Sequence, residues 1–449
     1  MANAQRRTIS LWALAYAIGP MVVAIDSREA IVDNSYLWHI TAGHIQRGES
    51  SVIVTDPFSF TALGEPWRTQ SWLADLLYSW LDEVFGIASS QFITAGLGAI
   101  LFVILAMLMR SSARTGFATA IVSVAGVMVL LPFLQPRPVI FSYVLFSLVV
   151  LACRRPKLLW AVPLILWVWA SVHASFPLGF VYLATHWWQT RSRRLIEVSI
   201  VGVVVTSLTA HGVMIWSVLV DFTNSGAALD RIAEWRPPDL ITVHLIALTV
   251  ALLVSFFHLG RSSDGTRGLL ALTAWTLFGL SATRSVPMLW IVLVPIISEA
   301  IESGLARHET RTRIPVRVAA LAGIGLVLWP YALPRAEPLD PRRFPIEAAE
   351  RLTDERVFHD DVTGGYLIYT QWPDRLVYVD DRAELFKDRL VDFADAKVGA
   401  SNWREILDRS GATQALVRQS DALASLLLEA EDWTVVYRDD EFILFDAKA

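Results

Sequence analysis

The sequence holds one cysteine, Cys153, in 449 residues. A single thiol excludes an internal disulfide framework and a thiolate zinc cluster. Charge is scarce as well. Asp, Glu, Lys and Arg make up 18% of the chain, against roughly 25% in soluble globular proteins, which excludes one large soluble enzyme. The net charge of −5 supplies no basic field, so no nucleic-acid partner is expected. Neither G-x-x-x-x-G-K-[ST] nor G-x-G-x-x-G occurs, which leaves a nucleotide loop without support. No motif marks a haem, flavin or nicotinamide, and no cofactor is expected. A divalent metal is equally unsupported, since His39 and His44 miss the i, i+4 spacing of a helical metal pair.

What the chain has in quantity is apolar surface. Hydrophobic residues are 54% of it, with 18 Trp, 21 Phe and 10 Tyr, a supply suited to membrane-interface belts. Charge is also unevenly placed: of 43 Asp and Glu, 25 follow residue 334. The pattern implies an α-helical polytopic membrane domain over 1–334 and a soluble domain over 335–449.

A bilayer core is crossed by about 20 apolar residues as helix. Eleven stretches read as spans: 9–25, 88–109, 116–134, 138–153, 158–172, 175–190, 195–210, 241–258, 268–283, 286–303 and 317–334. The stretch 158–190 is broken around Ser171–His173 and reads either as two spans or as one long broken helix. No small-residue cleavage site follows the first span, so it reads as retained.

The charges test this count. Arg6 and Arg7 precede the first span. Arg110 and Arg114, then Arg154, Arg155 and Lys157, then Arg191, Arg193 and Arg194, then Arg261 and Arg267, and finally Arg307, Arg311, Arg313 and Arg317 occupy alternate turns. Lys/Arg excess marks the cytoplasmic side. With eleven spans every cluster is cytoplasmic, the N-terminus with them, and the terminal domain is extracytoplasmic.

The first outer loop, 26–87, carries nine acidic residues and three basic ones. Apolar residues at helical spacing over Asp33–Arg47 and Ser71–Phe85 predict two amphipathic helices on the outer interface, with Trp at headgroup depth. Thr55-Asp56-Pro57-Phe58-Ser59 between them is a turn signal. A second outer loop holds Glu234-Trp235-Arg236. Arg137, His173 and Arg284 stand in short outer turns at span ends, where an ionisable group faces a cavity or a partner. Carboxylates crowd one loop and single arginines end other spans, as a carboxylate base beside cationic phosphate binders would require.

Residues 335–449 alternate short β runs with helical patterns, which argues a small α/β sheet. Strands are expected at Arg356–His359, Leu376–Asp380 and Gln414–Arg418, with a closing hairpin of Thr434–Tyr437 and Glu441–Phe445. Helices are expected at Glu384–Val398, Asn402–Ser410 and Asp421–Glu431. Gly364-Gly365 reads as a turn.

Asp33-Asn34-Ser35-Tyr36-Leu37-Trp38-His39, followed by Thr41-Ala42-Gly43, resembles the D-x-D-x-W-W-H-x-x-T-G segment of a bacterial membrane-protein family similar to the GT-C-type glycosyltransferases. Thr55–Thr61, Gly64, Trp67, Trp72 and Leu73 continue the pattern. Val172–Phe176, Ala233–Trp235, Arg284–Pro287, Gly364–Leu367 and Val379–Leu385 match it further along, so the resemblance covers nearly the whole chain. Two acidic positions depart from it: Ser35 replaces the second acidic residue of the first motif, and Asp381 stands where the family has Gly. Leu37 also replaces the first Trp.

The resemblance implies a transferase that uses a polyprenyl-phosphate sugar donor, with membrane lipids and an envelope glycan, lipid or protein as partners, in the bacterial inner membrane. Within that scheme Asp33 is the first candidate for the general base; the same residue also suits a helix N-cap. Asp56 is the second candidate, with turn formation before Pro57 as its other role. Asp26 and Glu29 read as a solvated face. His39 is a candidate for orienting the base or binding phosphate, and His173 for lining the substrate cavity. Arg137 and Arg284 are candidates for the donor phosphate, and Arg236 for a salt bridge with Glu234. Asp380, Arg382 and Glu384 read as capping with a surface ion pair. A transporter and a non-catalytic envelope scaffold are the alternatives.

Overall fold

A computed structural model describes residues 11–113, 115–217, 233–262, 265–305 and 339–448. The span expected at 317–334, and the basic residues Arg6, Arg7, Arg114, Arg307, Arg311, Arg313 and Arg317, lie outside the described residues. The chain divides into two compact units. One takes Met1–Arg28, Gln91–Val218 and Leu229–Arg335; the other takes Glu29–Ser90, Leu219–Ala228 and Ala336–Ala449.

The first unit is helical. It holds α1 (Leu11–Asp26), most of α4 (Ser89–Ser112), α5 (Gly116–Leu130), α6 (Val139–Cys153), α7 (Val162–Val172), α8 (Pro177–Thr190), α9 (Arg193–Thr206), α10 (Val243–Gly260), α11 (Gly265–Ser281) and α12 (Val286–Leu305). Each coincides with an expected span. Among the described residues, Trp72–Ser112, Gly116–Phe133, Val243–Gly260 and Thr283–Gly304 are long and apolar enough to cross a membrane, and Ala15–Asp26, Val139–Cys153 and Pro156–Val172 are shorter apolar helices. The break near residue 173 separates two helices. His173 is extended, with φ −164° and ψ 142°, and Pro177, which lacks the amide a helix interior needs, opens α8.

Charged side chains tie helix ends together. The Arg154 guanidinium donates to Glu299 and, at 2.8 Å, to Ser112 Oγ. Glu302 accepts from the Thr115 amide at 3.1 Å and its hydroxyl at 2.7 Å.

The second unit joins the first loop to the terminal segment. α2 (Ser35–Glu49) and α3 (Trp72–Phe85) pack on one another. The terminal segment adds α13 (Ile346–Ala349), β1 (Val357–Phe358), α14 (Asp361–Gln371), α15 (Ala383–Lys397), α16 (Trp403–Ser410), β2 (Gln414–Arg418), α17 (Ala422–Glu429), β3 (Trp433–Arg438) and β4 (Phe442–Ala447). The sheet order is β1-β2-β4-β3. β1 and β2 are parallel, Val357 opposite Gln414, and the remaining pairs are antiparallel.

Three expectations are corrected here. α2 and α3 form where the periodicity places them, and Trp80 on α3 is exposed, but Trp38 and Trp67 are buried in protein. They share a core with Phe58, Phe344, Leu367 and Leu444, because the apolar face of α2 is covered by α14 and its neighbours. Burial of each large side chain there contributes about 1.5–3 kcal/mol.

Next, Leu376–Asp380 is no sheet strand. Its backbone pairs with the first loop instead: Val377 N–H donates to Phe58 C=O at 2.9 Å, and Phe60 N–H to Val377 C=O at 3.0 Å.

Last, Gly364-Gly365 is not a turn but lies inside α14. A Cβ on Gly364 would meet Val379 O at 1.8 Å, and one on Gly365 would meet Asn34 O at 2.8 Å. The two glycines let α14 approach the backbone of 379 on one side and the start of α2 on the other.

Candidate functional site

In the second unit Asp33 and His39 stand at the N-terminal turns of α2. Asp33 is buried, at 3% exposure, and its Oδ1 accepts the Ser35 amide at 2.9 Å. This is an Asx-type contact at the start of a helix, where a carboxylate also meets the positive end of the helix dipole. Ser35 Oγ–H donates to Asp381 Oδ2, and Trp38 Nε1–H donates to Asp381 Oδ1 at 2.6 Å.

One turn further on, His39 Nδ1 lies 2.6 Å from Asp75 Oδ1 and the imidazole stacks on Trp38 at 3.6 Å between centroids. Asp75 is fully buried, and its Oδ2 accepts from Thr69 Oγ1 at 2.6 Å and Gln46 Nε2 at 3.1 Å. A carboxylate on one ring nitrogen fixes ring orientation and directs chemistry to the other nitrogen. Gly43 makes this possible: a Cβ there would lie 2.0 Å from Asp75 O. Asp75 was missed in the sequence; its signal is an acidic residue at the first turn of a predicted apolar-faced helix.

Asp56 sits elsewhere in this unit, with a different task. At 1% exposure it accepts from Phe58 N at 3.2 Å, Ser59 N at 3.1 Å and Ser59 Oγ at 2.5 Å. Arg382 Nη2 adds an ion pair at 2.7 Å. Those donors occupy the four lone-pair positions a carboxylate has. Arg382 also holds Asp380 through Nε at 2.7 Å and Nη2 at 2.6 Å. Its guanidinium lies 4.3 Å from the Trp67 ring centroid and 5.1 Å from that of Phe58. The surface ion pair expected at 380–382 is thus corrected to a buried one, because the first loop covers it. Trp67 Nε1 donates to Glu384 at 3.0 Å.

Acidic groups crowd the same unit. Burial, with Asp360 and Asp381 nearby, pushes the Asp361 carboxyl up to about 7. Burial pushes Asp380 up to about 6 even beside Arg382. Burial holds His359 down near 4. Its Nε2 accepts the Tyr378 amide at 3.0 Å, so the Nδ1–H is assigned to the Asp360 carbonyl at 2.8 Å.

The first unit brings the arginines together. Arg137, just before α6, pairs with Glu234, the partner expected for Arg236, at 2.9 Å. The Arg236 carbonyl accepts from Thr283 N at 2.8 Å and Oγ1 at 2.9 Å. That contact seats the next residue, Arg284, 4.3 Å over the Trp235 ring. Glu234, Tyr143 and Arg137 are the electrostatic neighbours of Arg284. A pair of guanidinium groups at one helix end is the kind of arrangement that takes a phosphate. His173 Nδ1 accepts the Ser175 amide at 3.1 Å, and Ser175 Oγ joins Ser142 on α6 at 2.9 Å. The first turns of α6 therefore hold both the arginine pair and the His173 network. Among the described residues, no three or more His, Cys, Asp or Glu are placed to hold a metal ion.

No family model and no curated protein matches the chain. Its fold is similar to that of ArnT from Cupriavidus metallidurans, solved bound to undecaprenyl phosphate. The TM-score is 0.52, over 97% of each chain at 14% identity. The chain thus shares the fold of a GT-C-type glycosyltransferase, in keeping with the resemblance read from its first-loop motifs.

Proposed function

We propose that the chain is an integral membrane glycosyltransferase that moves a sugar from a polyprenyl phosphate to an envelope glycan, lipid or protein. The likeness to a fold solved with undecaprenyl phosphate, over 97% of both chains, carries this reading. The arginine cluster supplies its chemistry. Arg137 and Arg284 bind the donor phosphate, with Trp235 desolvating Arg284. His173 lines the donor site. The acceptor hydroxyl attacks the anomeric carbon, the bond from that carbon to the phosphate oxygen breaks, and its electron pair leaves on the phosphate. Asp33 takes the hydroxyl proton. His39, held by Asp75, orients the acceptor. Asp56, saturated with donors, has no place in these steps. The N-terminus is cytoplasmic and the terminal segment faces the outer side of the inner membrane.

The test is binding of undecaprenyl phosphate to the purified protein in detergent, followed by sugar transfer. Arg284→Ala and Arg137→Ala each weaken binding by about 10- to 100-fold, the loss of a charge-assisted contact. Asp33→Asn abolishes transfer and leaves binding intact. Wild-type affinity in both arginine variants would remove the phosphate site. Binding without transfer from any polyprenyl-linked sugar would favour the scaffold. Orientation is read by replacing Cys153 with Ser and exposed Ser401 with Cys. An impermeant thiol reagent labels the new thiol on the outer face of intact cells, and labelling only after permeabilisation would reverse the topology.

A further inference from the structure

The first turn of α2 carries no acidic residue, and Asn34 before it makes no side-chain cap bond. Two carboxylates nevertheless bracket it, both held by Ser35. The Ser35 amide N–H donates to Asp33 Oδ1 at 2.9 Å; the Ser35 hydroxyl donates to Asp381 Oδ2. Serine has one N–H and one O–H, so both its donors serve the two acids. The other Asp381 oxygen accepts Trp38 Nε1–H at 2.6 Å. Residues 35 and 381 are therefore hydrogen-bonded to each other across 346 positions.

We propose that Asp381 is a positioning residue supplied to the start of α2 by the terminal segment, with Ser35 coupling it to Asp33. The chemistry makes each of the two side chains depend on the other. An Asp at 35 would set a carboxylate against that of Asp381 with no donor between them, and like charges at contact repel. A Gly at 381 would leave the Ser35 hydroxyl and the Trp38 indole without their acceptor, in a site where an unmet donor is costly. Ser35→Asp with Asp381→Gly returns one carboxylate and removes one, so the net charge at the turn is kept. Trp38 links Asp381 to His39 by stacking, so Asp381 also references the His39–Asp75 pair. The link to catalysis rests on the reading of Asp33 as base; the coupling of 35 to 381 does not.

The test uses the full-length protein in detergent. The variants are Ser35→Asp, Asp381→Gly, the double variant and the milder Asp381→Asn. Each single variant lowers the thermal midpoint by several degrees, and the double variant recovers most of the loss. Losses that simply add in the double variant would overturn the coupling, whether or not sugar transfer is ever observed. Where transfer is measured, Asp381→Asn lowers kcat at least tenfold with KM nearly unchanged, and the double variant recovers more than half of the lost rate. An equal fall in kcat for the double variant and Asp381→Gly would overturn the positioning role while leaving Asp33 as base intact. Wild-type protein without transfer would remove the catalytic reading and leave the thermal coupling to stand or fall by itself.

Discussion

In the helical unit, several buried hydroxyls bond to their own helix, while Ser123 reaches Ala15 C=O and Ser142 reaches Ser175. Ser147 donates to Tyr143 C=O, Thr206 to Gly202 C=O, Ser255 to Ala251 C=O and Ser298 to Val294 C=O, each four residues back. In the unit built from the first loop and the terminal segment, buried polar groups reach across the chain. Ser35 and Trp38 meet Asp381, and Trp67 meets Glu384, at separations of 317 to 346 positions. Arg382 holds Asp56 and Asp380 together. The first arrangement suits lipid, where each segment must satisfy its backbone and hydroxyls locally. The second makes one polar network responsible for holding two distant segments. Loss of one group should therefore be small in the first unit and large in the second.

The strongest way to break that contrast is Arg382→Leu. Two buried carboxylates then lose their shared cation, a change worth about 3–5 kcal/mol. Protease nicking of the terminal segment and a fall in thermal midpoint are expected. Arg382→Lys should rescue little, because an ammonium cannot make the paired contacts of a guanidinium. An Arg382→Leu protein as stable as the wild type would show that the network is not what holds the unit.

Gly364→Ala comes next. Its new methyl meets a backbone oxygen at 1.8 Å, and forced overpacking costs about 1–3 kcal/mol. Gly96 in α4, with open space around it, is the matched control in the helical unit. Gly96→Ala should raise stability by about 0.5–1 kcal/mol. A comparable loss at both glycines would argue against the close approach of α14.

A smaller effect is expected from pH. Asp361 is raised from 3.8 to about 7 and Asp380 from 3.8 to about 6. Both contribute stability at low pH that is lost as pH rises through those values. His359, lowered from 6.5 to about 4, does the reverse: its contribution is present above 6.5 and lost as pH falls through about 4. From pH 8 to 6.5 Asp361 dominates, so thermal stability should rise by about 1 kcal/mol on acidification. Further toward pH 5, His359 offsets part of the gain from the two acids. A midpoint that falls between pH 8 and 6.5 would contradict this environment for Asp361.

Ser147→Ala in α6 should have the least effect, within about 0.5 kcal/mol. A loss as large as that of Arg382→Leu would erase the contrast from the other side.

The helices were legible because their causes are local. Apolar runs and basic turns placed α4 to α12 within a few residues, and the break read around Ser171–His173 is where α7 and α8 divide. The helices of the first loop were legible for the same reason, but what covers α2 was not. Trp38 suits a lipid interface and a protein core equally well, and only the terminal segment decides between them. The site divides likewise. Arg137 and Arg284 stood out as lone charges at the ends of apolar helices. Asp75 did not, and Arg382 read only as a surface ion pair, since each has its meaning through partners on other elements. Asp56 was picked for its acidity, whereas its neighbours saturate it.

By itself, then, the sequence determined the place of the described apolar helices, the two loop helices and most of the terminal elements, because periodicity and end signals act over one or two turns. The tertiary structure decided which acids are anchors, which histidine has a carboxylate behind it, and that residues 35 and 381 share one hydrogen bond. Those depend on contacts between segments hundreds of positions apart, and no local pattern in the chain encodes them.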